Sequence, residues 1–258
     1  MSGVSRYATY PSLRGRGVVV SGGATGLGAQ FVTEFAAQGA QVAFVDVQEE
    51  AGLALVESVA AAGHPRPRFR RTDVRDLEGY QQVLRDLAAD LGSVGVLVNN
   101  AADDTRHDSA GVDPAAWDAG LRVNLDHQFF ATQALAPALR AAGGGSVVNL
   151  GSISTHVKLR DLVVYRTAKA AVEGLTRALA LELGADAIRV NCVVPGWVMT
   201  ARQLEHHVDA EAEATLDREQ ALARRVLPED VARMVLWLAA DDSAACTGQN
   251  WIVDGGWM

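Results

Sequence analysis

Cysteine is scarce in this sequence, with only Cys192 and Cys246 among 258 residues. Neither lies in a Cys-x-x-Cys or Cys/His spacing, which argues against a disulfide scaffold and against a metal site. Apolar runs of the roughly 18 residues that cross a bilayer are also lacking, and the N-terminal stretch has no apolar region like that of a signal peptide. We therefore expect a cytoplasmic protein with reduced thiols, no metal and no membrane association.

Positive charge is also in short supply. Lys and Arg number 23 against 31 Asp and Glu, which leaves a net charge of −8. Binding to nucleic acid requires a basic face, so this balance argues against nucleic acid as a partner. The one basic cluster, residues 66–71, is interpreted as a solvated loop. Because 49% of the residues are hydrophobic, the chain can bury a large core.

The chain lacks linkers rich in Pro, Gly or Ser and shows no internal repeat. We expect a short arm over residues 1–16 and then a single domain over residues 17–258, with a variable acidic segment at about 196–225. Short β-branched runs alternate with amphipathic segments, which is typical of a parallel sheet covered by helices. The predicted fold class is therefore α/β, a single-domain Rossmann-like doubly wound sheet of about seven parallel strands with helices on both faces.

The hydrophobic periodicity predicts the individual elements. Strands are predicted at Val18–Val20, Gln41–Val45, Phe69–Thr72, Val94–Val98, Ser146–Leu150, 188–194 and Trp251–Val253. Helices are predicted at Ala29–Gln38, 49–62, 76–91, 113–141 (in two parts), 163–183 and Pro228–Ala240. In the second of these helices, Leu53, Val56 and Val59 are spaced to face the core.

A glycine-rich turn, SGGATGLG at residues 21–28, joins the first strand to the first helix. Glycines let a backbone approach a pyrophosphate, and the start of the helix offers unpaired N–H groups. The second strand ends in Asp46, at the distance expected for a carboxylate that accepts hydrogen bonds from the adenosine ribose. A carboxylate there repels a 2′-phosphate. The arrangement predicts NAD rather than NADP, whereas a glycine cluster alone would indicate only a tight turn.

The stretch from Ser152 to Lys169 predicts acid–base chemistry on an alcohol or carbonyl. Tyr165 and Lys169 lie four residues apart, so in a helix both side chains leave the same face. The ammonium group is expected to lower the pKa of the phenol, while the Ser152 hydroxyl holds the substrate oxygen. Acyl transfer is excluded, since no Gly-x-Ser-x-Gly elbow surrounds Ser152. Asn124, a polar residue in an apolar helical run, is a candidate to hold a water molecule.

Together these residues resemble the short-chain dehydrogenase/reductase family over nearly the whole chain. The motifs that carry the resemblance are SGGATGLG at 21–28, Asp73-Val74, NNAA at 99–102, Asn124, Ser152, YRTAK at 165–169 and PGWVMT at 195–200. The resemblance implies that Tyr165 is the acid–base residue, that Ser152 orients the substrate oxygen and that Asn124 anchors a water in a proton relay. It also implies that Lys169 holds the nicotinamide ribose.

The same resemblance assigns the binding of NAD along the cofactor. From the adenine end to the nicotinamide end, the implied residues are Asp73 and Val74, Asp46 and Val47, Gly22, Gly26, Leu27 and Gly28, Asn100 and Ala101, Tyr165 and Lys169, and then Pro195, Val198 and Thr200. The predicted helices at 113–141 and 163–183 are similar to the pair through which family members form homotetramers. The C-terminal Trp257 is then placed to close the pocket of a neighbouring subunit.

Within the family, the opening YPSLRGRGVVV, the loop DDTRH, the motif PGWVMTARQ and the ending WIVDGGW are similar to bacterial D-xylose and related aldose 1-dehydrogenases. That similarity implies oxidation of the anomeric hydroxyl of a sugar to a lactone with NAD. A hydroxyl-rich substrate needs polar side chains around the cleft. Besides Ser152 and Tyr165, the candidate substrate residues are Asp104, Arg106, His107, Ser154, His156, Arg202 and Gln203.

Two alternatives remain open at this point. The motifs suit equally an NAD-dependent dehydrogenase of another secondary alcohol or ketone, such as a polyol, a keto-acid sugar derivative or a 3-hydroxyacyl substrate, because one fold serves many substrates. The polar candidate residues would then be a solvated rim. A non-catalytic nucleotide-binding subunit is the remote alternative, since such a protein would usually have lost Ser152, Tyr165 or Lys169.

Overall fold

The computed structural model describes residues 7–258, which contain one sheet of seven parallel strands. The strands are β1 (Gly17–Ser21), β2 (Gln41–Asp46), β3 (Arg68–Arg71), β4 (Val96–Asn99), β5 (Gly145–Leu150), β6 (Ile188–Pro195) and β7 (Asn250–Val253). They lie in the order β3-β2-β1-β4-β5-β6-β7, and each neighbouring pair is parallel. The predicted fold class is therefore confirmed.

Helices join the strands and cover both faces of the sheet. They are α1 (Gly26–Ala37), α2 (Glu49–Ala61), α3 (Leu77–Leu91), α4 (Pro114–Leu121), α5 (His127–Ala141), α6 (Val163–Leu183), α7 (Ala201–His206), α8 (Ala210–Glu219) and α9 (Pro228–Ala239). None of the helices between residues 7 and 258 combines the length and apolarity that crossing a bilayer requires.

Strand β1 shows how the two core layers form. Successive side chains of a strand point to opposite faces, so Val18 and Val20 pack with α1, α2 and α9 in one apolar cluster. Val19, between them, packs with α3, α5 and α6 in the other cluster. Because both faces are covered, all three valines are fully buried. This explains why the strand is a continuous apolar run without polar alternation.

The order of the strands reverses between β1 and β4. The chain runs outward from β1 through β2 to β3, and then returns to β4 and continues the other way. The connections that leave the carboxyl ends of β1 and β4 therefore turn in opposite directions, which opens a crevice between them. This crevice decides where a ligand can enter.

The predicted arm is packed where it is described. Residues 11–13 form one short helical turn, and Leu13 is fully buried in the core layer of α1 and α9. Arg16 pairs with Asp241 at 2.9 Å. Residues 1–6 lie outside the described part of the chain. Within residues 7–16 of the expected arm, Leu13 therefore enters the core and Tyr10 packs against it.

The structure adds detail to three further predictions. Leu53 is 54% exposed, because the inward position of α2 is taken by Gly52, against which the ring of Phe69 lies. The segment expected to be variable at 196–225 contains α7 and α8. The long helix predicted at 113–141 does divide into two parts, α4 and α5, and a π-helical turn at Arg122–Asp126 joins them.

His127, at the start of α5, is buried without a partner for either ring nitrogen among the described residues. Burial, and secondarily the positive charge of Lys169, lowers the pKa of His127 to about 3. The ordinary value for an unfolded chain is near 6.5. The folded protein therefore holds this imidazole neutral throughout the physiological range.

This burial predicts a loss of stability in mild acid. Below pH 6.5 the unfolded chain binds a proton at His127 that the folded chain does not, so the free energy of unfolding falls with pH by up to ~1.4 kcal/mol per unit. Urea midpoints at pH 7 and pH 5, at one protein concentration, measure the effect. We expect His127→Asn to remove this part of the pH dependence and the exposed control His206→Asn to retain it. An equal dependence in both variants would contradict the prediction.

Candidate active site

A cavity of about 930 Å³ opens at the carboxyl ends of the strands, above the point where the strand order reverses. Its walls come from the connections that follow β1, β2, β3, β4, β5 and β6, so residues distant in sequence share one space. The sequence-predicted residues that line it are Gly22, Gly26, Leu27, Asp46, Val47, Asp73, Val74, Asn100, Ala101, Asp104, Arg106, Ser152, Ser154, Tyr165, Lys169, Pro195, Val198, Thr200, Arg202 and Gln203.

The glycine turn is held beneath this cavity by close backbone packing. A Cβ on Gly28 would lie 1.8 Å from the carbonyl oxygen of Gly22, so only glycine fits where α1 begins. The side-chain amide of Asn100 donates to the carbonyl oxygens of Gly22 at 2.8 Å and of Ser21 at 3.1 Å. Gly28 itself supports the turn and does not line the cavity. The first turn of α1 can therefore direct its unpaired N–H groups toward a bound phosphate group.

Asp46 presents its carboxylate between the glycine turn and β3. The side chain is buried, and its two oxygens accept hydrogen bonds from the backbone N–H groups of Ala24 and Gln48, each at 3.0 Å. These bonds orient the carboxylate, and each oxygen retains further acceptor capacity. A pair of ribose hydroxyls is the kind of donor that this arrangement accepts.

The far end of the cavity, past Asp46, contains Asp73 and Arg75. The Arg75 guanidinium donates to the Asp73 carboxylate at 2.7 Å. This hydrogen bond holds the pKa of Asp73 below its ordinary value. The positive charge at this end is therefore neutralised by a partner within the chain. The glycine turn, the oriented carboxylate and this polar end together fit an adenine dinucleotide lying along the strand ends.

Ser152, Tyr165 and Lys169 meet at the other end, where β5 stops and the first turns of α6 pass over it. Ser152 lies within hydrogen-bond reach of the Tyr165 phenol, and its hydroxyl donates to the Ser154 hydroxyl at 2.9 Å. The buried Lys169 ammonium donates to the carbonyl oxygen of Leu150 at 2.7 Å and lies 5.6 Å from the centre of the Tyr165 ring. One α-helical turn separates the tyrosine from the lysine, as the spacing predicts.

The electrostatics of this group differ from the expectation that Lys169 lowers the pKa of the phenol. Burial raises the pKa of Tyr165 to about 12, against the opposing effect of the Ser152 hydrogen bond. Burial also lowers the pKa of Lys169 to about 8. Loss of solvation dominates both shifts, and the ammonium is directed at the carbonyl oxygen of Leu150 rather than at the phenol. The expectation was therefore wrong in direction for the protein alone.

Asn124 lies in the π-helical turn and makes three contacts to the backbone. Its side-chain oxygen accepts from the N–H of Asp103 at 2.9 Å, and its amide donates to the carbonyl oxygens of Asp103 and Gly120, both at 3.0 Å. The expected water-holding amide is thus engaged in fastening the loop that follows β4. Asn124 supports one wall of the cavity and does not line it.

Several predicted substrate residues are bonded to one another across the cavity mouth. Asp104, in the loop after β4, pairs with Arg202 at 3.0 Å and accepts from the side-chain amide of Gln203 at 3.0 Å. These contacts connect the β4 loop with α7. Ser154 is nearly buried beside Ser152, and Arg106 lines the cavity. Asp104, Arg202 and Gln203 thus line the cavity and are also bonded to one another.

The two predicted substrate histidines lie outside the cavity. His107 lines a neighbouring cavity of about 690 Å³, and its ring contacts the backbone of Thr105 and Val164. His156 is paired with the buried carboxylate of Glu173, with 2.6 Å between Nε2 and Oε1. This pair ties the segment after Ser152 to α6. Neither histidine lines the cavity that contains Ser152 and Tyr165, and both contact the segments around it.

Two tryptophans that were not predicted as residues of this chain's own site also line the cavity. Trp197 follows β6 within the quoted PGWVMT motif, and Trp257 stands next to the C-terminus. Trp257 was expected in the pocket of a neighbouring subunit, but its ring lies in the cavity of the same chain. Both follow the carboxyl end of a strand, and this shared position is the signal that could have paired them.

Among residues 7–258, no group of three or more His, Cys, Asp or Glu side chains is arranged to hold a metal ion.

Comparison with known proteins extends these observations. A family model described as enoyl-(acyl carrier protein) reductase matches residues 22–258. The chain is 50% identical over 250 residues to D-xylose 1-dehydrogenase of Caulobacter vibrioides (strain NA1000 / CB15N), covering 97% of this chain and 98% of the relative. It is 46% identical over 247 residues to a protein of Rhizobium meliloti (strain 1021) named probable galactose dehydrogenase, with 96% of each chain covered.

A solved structure agrees with the fold. The 7α-hydroxysteroid dehydrogenase complexed with NADH and 7-oxo glycochenodeoxycholic acid superimposes with a TM-score of 0.90 at 27% identity, covering 95% of this chain and 96% of that one. The family binds NAD or NADP. The matches span nearly the whole length of the sequence, and the family predicted from its motifs is confirmed. This chain belongs to the short-chain dehydrogenase/reductase family and is an oxidoreductase that acts on the CH–OH group of its donor.

Proposed function

We propose that this protein oxidises the anomeric C1 hydroxyl of an aldose to the corresponding lactone, with NAD as the hydride acceptor. The observation that carries the proposal is the convergence of Ser152, Tyr165 and Lys169 at one end of a dinucleotide-sized cavity. The 50% identity to a D-xylose 1-dehydrogenase over nearly the full length supports a sugar as the substrate. The reaction is assigned to the cytoplasm.

The preference for NAD is argued from charge. The Asp46 carboxylate is held in place by two backbone N–H groups, so it cannot easily turn away from a 2′-phosphate. Arg75 is the nearest cation lining that end of the cavity, and it is already engaged by Asp73. A phosphate at the 2′ position would meet a fixed negative charge and a cation that has a partner. Both effects favour the free hydroxyl of NAD.

The reaction requires one proton and one hydride to leave the substrate. When bound, NAD would supply the acceptor for the hydride that leaves C1. Ser152 holds the C1 oxygen within hydrogen-bond distance, and Tyr165 takes the hydroxyl proton as the C–O bond gains its double-bond character. Lys169 would hold the nicotinamide ribose, and its positive charge favours the phenolate form of Tyr165, which is the form that accepts this proton. The C1–H and O–H bonds break, the carbonyl of the lactone forms, and the products are NADH, the lactone and one proton.

Burial of Tyr165 limits how this proton can move. Since the pKa of the phenol is raised to about 12 in the protein alone, a free phenolate is rare at neutral pH. A neutral phenol cannot accept a proton, so Tyr165 must first release its own proton to solvent as cofactor and substrate enter. The resulting phenolate then takes the proton of the C1 hydroxyl, and one proton is released overall. The Lys169 pKa, lowered to about 8, puts this group close to working pH, where it can also exchange a proton.

We also propose a homotetramer formed through α5 and α6. Large apolar side chains on these helices remain outside the core, with Phe129 exposed at 37%, Val163 at 40% and Leu181 at 85%. Exposed apolar residues on two neighbouring helices are typical of a surface that a second copy covers.

The test of the proposed reaction is the initial rate of NADH formation with a panel of aldoses, polyols, hydroxy acids and secondary alcohols, repeated with NADP. We expect clear turnover with at least one pentose or hexose and with NAD. Turnover restricted to a polyol or another secondary alcohol would replace the aldose with that substrate class. Cofactor binding without turnover of any compound would point to a non-catalytic subunit.

Replacing Tyr165 by Phe removes the proton acceptor while preserving the ring. General acid–base groups contribute about 10²–10⁴-fold, so we expect kcat to fall by at least that factor. Binding of NADH, followed by its fluorescence, should remain near the wild-type level. Tyr10→Phe, at the other end of the molecule, is the matched control and should keep full activity. Substantial activity in the Tyr165 variant would rule out the assigned role.

Replacing Asp46 by Ala tests the choice of cofactor. A hydrogen bond to a charged group contributes about 1.5–3 kcal/mol, so kcat/KM for NAD should drop by about 10- to 100-fold. The value for NADP should fall much less or rise, because the repulsion of the 2′-phosphate is lost. Asp90→Asn, an exposed substitution on α3, is the control. An unchanged ratio of the two cofactors would contradict the role of Asp46.

A further inference from the structure

Trp197 and Trp257 stand side by side in the cavity wall. Their ring centres are 6.4 Å apart and their planes are inclined by 25°, an offset stacked arrangement. Both residues line the cavity and are half-buried. The pair therefore forms one extended aromatic surface built from two segments that lie 60 residues apart in the sequence.

The tertiary structure holds this pair in a fixed position. Strands β6 and β7 are neighbours, and a Cβ on Gly196 would lie 2.7 Å from the Cα of Asp254, so the two connections leave the sheet in contact. The buried Asp254 carboxylate accepts from the N–H groups of Gly256 at 2.8 Å and Met258 at 2.9 Å. The C-terminal segment is thereby fastened on both sides of Trp257.

The polar atom of Trp197 is not available to a ligand. Its indole N–H donates to the side-chain oxygen of Gln203 at 2.9 Å, and the amide of Gln203 donates to Asp104 at 3.0 Å. Asp104 is further held by Arg202. This chain of contacts leaves Trp197 to offer the hydrocarbon surface of its ring, while it fixes α7 over the cavity.

A second tryptophan pair shows that this arrangement is not simply core packing. Trp237 and Trp251 also contact each other, with ring centres 5.1 Å apart, but they pack against the apolar cluster between α9 and the sheet and line neither cavity. Trp197 and Trp257 instead direct large apolar surface toward a space that is otherwise rich in polar groups. Such surface in a pocket is best explained by a ligand that covers it.

We propose that Trp197 and Trp257 form the surface on which the closed ring of the sugar lies, and that Trp257 determines specificity for a ring over an open chain. A pyranose ring carries C–H groups, with partial positive charge on hydrogen, on its face, and aromatic rings present a negative face. The hydroxyls at the ring edge then point to hydrogen-bonding groups such as Arg106 and Ser154. An open-chain polyol has no rigid apolar face to place there. This inference rests on the proposed aldose oxidation.

The test compares Trp257→Leu and Trp257→Phe with the control Trp237→Phe, using D-xylose and D-galactose with NAD. The leucine retains apolar bulk but has no aromatic face. Loss of an aromatic contact of about 0.5–1.5 kcal/mol predicts a rise in the KM for sugar of roughly three- to tenfold in the leucine variant. Because a contact of this kind acts equally in ground and transition states, kcat should change by less than about threefold. The KM for NAD should not change.

The phenylalanine variant should recover most of the affinity for sugar, and the Trp237 control should match the wild type. A second readout uses 1,5-anhydroxylitol, a closed ring without the C1 hydroxyl, as a competitive inhibitor. Its inhibition constant should rise in parallel with KM in the leucine variant, while weak inhibition by xylitol should not change.

The outcomes separate the two proposals. A wild-type enzyme that oxidises no aldose would refute the proposed function, and with it the stacking role. A different result would overturn the stacking role alone. In that result the wild-type enzyme oxidises D-xylose or D-galactose, but the leucine variant has the same KM and the same inhibition constant as the phenylalanine variant.

Discussion

The parallel hydrogen bonding of the sheet is the constraint on which the rest of this structure depends. In a parallel sheet all carboxyl ends of the strands lie along one edge, and every connection from that edge returns through a helix on one face or the other. The reversal of strand order between β1 and β4 leaves the crevice at that edge open. The glycine turn, Asp46, the loop after β4, Ser152 and the segment after β6 meet for this single reason.

The cost of removing charge from water shapes the chemistry inside that crevice. The same burial raises the pKa of Tyr165 and lowers the pKa of Lys169, so each is shifted toward its neutral form. His127, below them, is also kept neutral. Charges beside Tyr165 and Lys169, including any that a cofactor or a substrate brings, interact more strongly in these surroundings than they would in water.

The walls of the site are maintained by contacts that join separate connections. Asn124 fastens the loop after β4, the pair of His156 and Glu173 fastens the segment after β5, and Asp104 connects the β4 loop to α7. Polar side chains such as Asp104 and His156, which were predicted to touch a substrate, also hold the loops that form the pocket. The aromatic surface of Trp197 and Trp257 depends on this support, since Gln203 binds both Trp197 and Asp104.

The sequence by itself determined the fold class, the order of the elements, the glycine turn with Asp46 and the helical spacing of Tyr165 and Lys169. These follow from local periodicity, turn chemistry and residue spacing, which the chain carries along its length. Only the tertiary structure decided that Leu53 faces solvent, that His107 and His156 lie outside the cavity, that burial reverses the expected pKa shift of Tyr165, and that Trp257 enters its own chain's cavity. Each of these four features depends on which residues from distant parts of the sequence pack against the side chain, and on how much water they exclude from it. No local sequence pattern specifies those contacts.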